Sequence, residues 1–140
     1  MSTVDCRPVD VVAAMQALDA SGLNTGSAGN ASCRSATGSV WITPSGVPAS
    51  ALDEASIVEL SMNGEATSPG AIPSSEWRLH RDIYAARPDV HAIVHTHSSY
   101  ATALACQRRD IPAFHYMVAV AGGDSIRCSG YATFGTQMLS

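Results

Sequence analysis

Residues 91–97 read HAIVHTH, and no other stretch restricts the fold and chemistry of this chain so tightly. Taken with a period of two, His91, Ile93, His95 and His97 share one face, while Val90, Ala92, Val94 and Thr96 share the other. Alternation with β-branched residues predicts a strand that buries its aliphatic side. In a strand, side chains two residues apart point the same way, with Cα atoms roughly 7 Å apart. His95 and His97 can therefore reach a single metal ion. His91 is two rungs from His95, roughly 13 Å along the strand, and falls outside that set. Alone, the stretch fits a histidine-rich surface strand equally well, so the rest of the chain has to discriminate.

The chain of 140 residues is short enough to form one domain, 1–140, around one core. Its 46% hydrophobic and 14% charged content predicts a compact globule. A net charge of −4 offers no basic surface for nucleic acid or an anionic membrane. The opening MSTVDCRPVD does not read as a signal peptide, and no apolar run approaches the ~20 residues of a membrane span. Cys6, Cys33, Cys106 and Cys128 lack C-x-x-C spacing and read as reduced thiols of a cytoplasmic protein. All 8 basic residues are arginines. Schiff-base chemistry needs a lysine amine, so carbonyl-carbanion chemistry on this chain would draw on a metal.

Val11, Met15 and Leu18 predict a helix over 8–20, opened by Pro8 and closed by Gly22. Short strands follow at 31–34 and 39–43, joined by the hairpin turn SATG. LDEASIVELS predicts a turn or short helix and then a strand, and MNGEATSPGAIP a loop. SSEWRLHRDIYAARP predicts a second helix with Leu79, Ile83 and Ala86 as its buried stripe; His80, one turn after Glu76, could share its face but reads first as a helix-surface histidine. After the histidine strand come a helix at about 99–107 and a strand through IPAFHYMVAV, which sends His115 and Tyr116 to opposite faces. Together these elements predict an α/β layered domain with an at least partly antiparallel sheet.

Three segments can approach an anion. GSAGNAS (26–32) and TPSG (43–46) are small-residue loops with accessible N–H groups, and PSSE (73–76) places two hydroxyls at a helix N-terminus. Each is also an ordinary turn or cap, and none fits the Walker or dinucleotide pattern. Glu76 fits first-turn dipole complementation or, alternatively, a general base beside the cradle and the metal. Tyr116 reads as a half-buried strand aromatic with its hydroxyl in water.

In order along the chain, GSAGNAS, ITPSG, PSSEWRLH, VHTH, IPAFHYMVAVAGG and YATFGT resemble the class II sugar-phosphate aldolases of the L-fuculose-1-phosphate aldolase and L-ribulose-5-phosphate 4-epimerase family. The resemblance implies a three-layer α/β/α domain around a largely antiparallel sheet, in a homotetramer with sites between subunits. It implies phosphate contacts from Gly29, Asn30, Ser45, Gly46, Ser74 and Ser75, and an acid/base role with resting-state metal ligation for Glu76. His95 and His97 match two Zn2+ ligands. Tyr116 matches a tyrosine that assists proton transfer in a neighbouring subunit's site, and Phe134 an aromatic of the aldehyde pocket.

The family's third zinc histidine lies beyond YATFGT, where this sequence has only QMLS. The expectation is therefore the N-terminal portion of a longer domain, with a natively shortened domain as the alternative. The implied activity is cleavage of a phosphorylated ketose to dihydroxyacetone phosphate and an aldehyde. Epimerase, decarboxylase and dehydratase chemistry on the same scaffold, or an adducin-head-like binding module, remain alternatives.

Overall fold

The computed structural model of the protein describes residues 5–133 and 136–139. The first helix, α1 (Pro8–Ala20), starts with Pro8 in its first turn, where the Asp10 carboxylate accepts the Arg7 N–H at 2.9 Å. It stops where Gly22, at φ 72°, lets the N–H of Leu23 reach the Leu18 carbonyl at 3.0 Å. The predicted hairpin follows as β1 (Asn30–Arg34) and β2 (Val40–Ile42). Then come two short 3-10 turns, β3 (Val58–Leu60), α2 (Trp77–Ala86), β4 (Ala92–His95) and α3 (Ser99–Cys106).

The four strands form one antiparallel sheet in the order β3-β2-β1-β4. β1 is therefore central, with Ser32 opposite Ile42 on one side and opposite Ile93 on the other. Alternation along β1 serves two layers. Ala31 and Cys33 meet Val11, Val12 and Met15 of α1, closed off by Ala49, Leu52 and Ile57. On the reverse face, α2 lays Tyr84 against Val40, Ile42, Val58 and Leu60. Helix, sheet and helix are stacked in three layers, as expected.

Four expectations are corrected. The inward stripe of α2 is His80 and Tyr84, whereas Leu79, Ile83 and Ala86 are more exposed. The polar end of β1 provides hydrogen-bond partners for these two side chains, and that outweighs aliphatic burial. On β4 the better-covered face is that of Ile93 and His95, while Val94 is 54% exposed. α1 lies over β1 and β2 and leaves the aliphatic side of β4 uncovered by the described residues.

The strand expected over 111–120 is instead an isolated bridge between Ile111 and Ile126, followed by a 3-10 turn at Tyr116–Ala121. His115 Nδ1 accepts the Met117 N–H at 3.2 Å, a local bond that favours the turn. Finally, Cys6 and Cys33 form a disulfide, so the reduced-thiol reading holds for Cys106 and Cys128. The docking of α1 on β1 brings together two cysteines 27 residues apart, which spacing alone does not reveal. No helix among the described residues is long and apolar enough to cross a membrane.

Candidate active site

Three backbone hydrogen bonds draw the small-residue loops into one place. Thr43 N–H donates to Ala31 O at 3.1 Å, Ser74 N–H to Thr43 O at 2.9 Å, and Ser45 N–H to Ile72 O at 3.0 Å. Pro44 and Pro73 face each other across the same seam. The start of β1, the end of β2 and the entry to α2 thus converge on a cleft of about 490 Å³. Gly29, Asn30, Ser45, Gly46, Ser74 and Ser75 all line it, together with Glu76 and His97. Among its described lining residues there is no arginine, so an anion there would be met by N–H groups and hydroxyls. Gly29 has φ 74°, and a Cβ at this position would come within 3.0 Å of the Asn24 side chain and the His95 carbonyl. Only glycine lets the cradle pass so close beneath β4.

The metal candidates meet at the edge of the cleft. Glu76, His95 and His97 can each offer one ligand atom, all within 4.8 Å of one another. Two imidazoles and a carboxylate fit a divalent ion of the zinc type, which takes nitrogen and oxygen donors at about 2.0–2.2 Å. His97 lies just past the end of β4, where its N–H donates to Asn24 Oδ1 at 3.0 Å. Glu76, the residue before α2, is buried and accepts at Oε2 from Asn30 Nδ2 at 2.6 Å. His95 Nδ1 lies 2.7 Å from the same oxygen. The His95 contact holds the Glu76 carboxyl below its usual range, and burial opposes that shift without overcoming it.

Behind Glu76 is a buried polar chain. His80, 0% exposed, has Nε2 at 2.5 Å from Asn30 Oδ1 and Nδ1 at 2.6 Å from Ser32 Oγ. Ser32 Oγ is also 2.9 Å from the Tyr84 hydroxyl. Burial pushes the His80 imidazole down to about 4, so it is neutral near pH 7. The same cause pushes the Tyr84 hydroxyl up.

Tyr116 does not line the cleft. It is 78% exposed and borders a separate hollow with Phe114, His115 and Val118. His91 is exposed, away from the metal candidates, as expected. Phe134 lies outside the described residues.

With this geometry in place, known proteins supply the context. Residues 9–140 match the model of the Class II Aldolase and Adducin N-terminal domain. The chain belongs to this family. It is 57% identical over 119 residues to the 5-methylthioribulose-1-phosphate/5-deoxyribulose-1-phosphate aldolase of Rhodospirillum rubrum, an alignment covering 85% of this chain and 53% of that protein. It is 51% identical over 119 residues to the L-fuculose phosphate aldolase of Escherichia coli K12, covering 85% of this chain and 54% of the relative. A solved L-fuculose 1-phosphate aldolase superposes with a TM-score of 0.89 at 38% identity, covering 99% of this chain and 65% of that one. The chain thus spans about half the length of the curated relatives it matches.

Within this class II aldolase-type domain, several site residues escaped the sequence reading. Thr25 and Ser27 join the cleft lining, and Asn24 braces His97. His80 was expected on a helix surface. A signal for it did exist: Glu76, His80 and Tyr84 are spaced i, i+4, i+8, a polar stripe that matches the polar face of β1 at Asn30 and Ser32.

Proposed function

We propose that this domain carries the phosphate cradle and metal platform of a zinc-dependent aldolase. Its substrate would be a ketose 1-phosphate, cleaved reversibly to dihydroxyacetone phosphate and an aldehyde. The observation that carries the reading is the adjacency of two groups: the Glu76, His95 and His97 donors, and a cleft that is rich in N–H groups and hydroxyls with no arginine among its described lining residues. The names of the relatives point to ketose phosphates as the substrate class. A buried carboxylate held ionised beside two imidazoles in a cleft favours the catalytic reading over the non-catalytic one.

In this reading His95 and His97 would hold zinc, which would supply Lewis-acid polarisation of the ketone carbonyl. Gly29, Asn30, Ser45, Gly46, Ser74 and Ser75 bind the phosphate and place the ketose carbons beside Glu76. Glu76 takes the proton from the carbon next to the carbonyl in the condensation direction and returns it after cleavage. Tyr116 and Phe134 serve the aldehyde end. Exposure of Tyr116 suits a part played in a neighbouring subunit of a homotetramer.

The test is Glu76→Gln in the full-length protein, with ketose 1-phosphate cleavage as the readout. A base should lose roughly 10²–10⁴-fold in kcat. A helix-entry role should cost only about 0.3–1 kcal/mol of stability with turnover intact. Near-normal kcat in the Gln variant, or activity that survives exhaustive chelation, would sink the proposal.

A further inference from the structure

The buried chain behind Glu76 has a direction, and chemistry sets it. A carboxylate only accepts, so the Asn30 atom 2.6 Å from Glu76 Oε2 is the amide nitrogen, donating. The Asn30 oxygen then faces His80 Nε2, and since an amide oxygen only accepts, that nitrogen carries the imidazole proton. In a neutral ring this leaves Nδ1 as a lone pair, so the Ser32 hydroxyl donates to it and in turn accepts from the Tyr84 hydroxyl. Every hydrogen bond from Tyr84 to Glu76 thus runs the same way.

We propose that His80 is a positioning residue for the base. It locks the Asn30 amide so that the amide nitrogen, and not the oxygen, faces Glu76. Oε2 is then tied down, and Oε1 is the oxygen that exchanges the substrate proton. The proposal rests on Glu76 acting as the base, and it adds a residue outside the cleft lining and outside the metal donors.

Three observations support it. Oε2 takes both bonds, from Asn30 and from His95, whereas Oε1 has no partner among the described residues although Glu76 lines the cleft. His80 is 0% exposed, on the face where Val40, Ile42, Val58, Leu60 and Tyr84 pack together, and burying an imidazole there costs desolvation that an aliphatic side chain would avoid. Burial also keeps the ring neutral, which the donor–acceptor order requires. Without the Nε2 proton, Asn30 is free to turn by half a rotation and present its oxygen to the carboxylate. That would repel Glu76 and release Oε2.

Two amide substitutions of similar polarity separate positioning from packing. Gln at position 80 puts its amide nitrogen near the place of Nε2 and reaches Asn30, whereas Asn is shorter and reaches only toward Ser32. In the full-length protein, His80→Asn is expected to lower kcat by about 10–100-fold, the usual cost of removing an outer-shell partner, with KM for the ketose phosphate little changed. His80→Gln should recover most of that loss. Equal kcat in the two variants overturns the proposal, and so does a loss expressed mainly in KM. In a Glu76→Gln background, His80→Asn should have almost no further effect on kcat, and full additivity would show that His80 acts elsewhere.

One readout needs neither turnover nor variants. The imidazole ¹⁵N shifts of metal-free wild-type protein at neutral pH should show His80 neutral, with its proton on Nε2. An Nδ1–H tautomer or an imidazolium overturns the proposal even if both variants fail to fold. If Glu76→Gln alone leaves turnover intact, the base assignment fails, while the tautomer result still reports whether the hydrogen bonds run as argued.

Discussion

β1 presents one kind of surface to α1 and another to α2. Toward α1 it offers Ala31 and Cys33, and the layer around them is apolar, with the Cys6–Cys33 disulfide at its edge. Toward α2 it offers Asn30 and Ser32, and there the buried side chains include Glu76, His80 and Tyr84. The α1 side derives its stability from burial, at about 1.5–3 kcal/mol for each large aliphatic side chain taken out of water. The α2 side sacrifices some of that gain in order to hold a carboxylate, an imidazole and an amide in fixed orientations. One strand of five residues thus separates packing from chemistry by its alternation alone.

If the two faces are this distinct, a cavity on the α1 side should be felt in stability and not at the site. Met15 is 3% exposed in that layer, and Met15→Ala should cost about 2–5 kcal/mol. Denaturant titration would measure the loss. Metal affinity, read by competition with a chromogenic chelator, should stay at the wild-type value. A parallel fall in metal affinity would show that the faces are coupled and would break the contrast.

Acid should find the α2 side first. Burial depresses the His80 pKa from 6.5 to about 4 in the folded protein, with His95 adding to the fall and Glu76 opposing it. The unfolded chain therefore binds the proton more readily. The stabilising contribution is complete above pH 6.5 and is lost as pH falls toward 4, about 3 kcal/mol in all. Roughly 2 kcal/mol of this should be gone by pH 5. Glu76, whose pKa is also lowered, stabilises above its ordinary 4.5 and gives way only in stronger acid. Urea midpoints at pH 7 and pH 5, compared between wild type and His80→Gln, check this: the Gln variant should show a shallower dependence. An unchanged slope would mean that His80 is not the group responsible.

The smallest effect is expected at the far end of the polar chain. Tyr84→Phe keeps the ring that packs on Val40 and Ile42 but removes the donor to Ser32, at a cost of about 1 kcal/mol. Ser32 can still donate to His80, so kcat should change much less than in His80→Asn. A large catalytic loss in the Phe variant would mean that orientation is set further from Glu76 than Asn30 and His80.

Local patterns made much of this legible in the sequence. The 3.6-residue period and the Pro8 and Gly22 signals marked α1, and the alternation around SATG marked the hairpin. The small-residue loops marked residues that line the cleft, and H-x-H marked two side chains that, with Glu76, could hold a metal ion. Each of those signals lies within a few residues of what it specifies. The misreadings share the opposite property. Leu79, Ile83 and Ala86 have the spacing of an inward stripe on α2, but hydrophobic spacing does not reveal that β1 offers polar partners to His80 and Tyr84. IPAFHYMVAV looked like a strand because alternation shows a capacity for pairing and does not supply a partner.

By itself the sequence determined which residues can do chemistry: an arginine-only set of basic side chains, three small-residue or hydroxyl-rich segments open to an anion, and two histidines with the reach of one metal ion. The tertiary structure alone decided which of them meet and in what protonation and orientation. Seam bonds from Thr43 to Ala31 and from Ser74 to Thr43 brought loops from three parts of the chain to one cleft. The layering of α2 on β1 turned His80 inward, joined it to Asn30 and, through Asn30, bore on Glu76. Hydrogen-bond direction and desolvation depend on neighbours that are 46 to 50 residues away along the chain. No local period encodes those distances, so only the packed fold can set them.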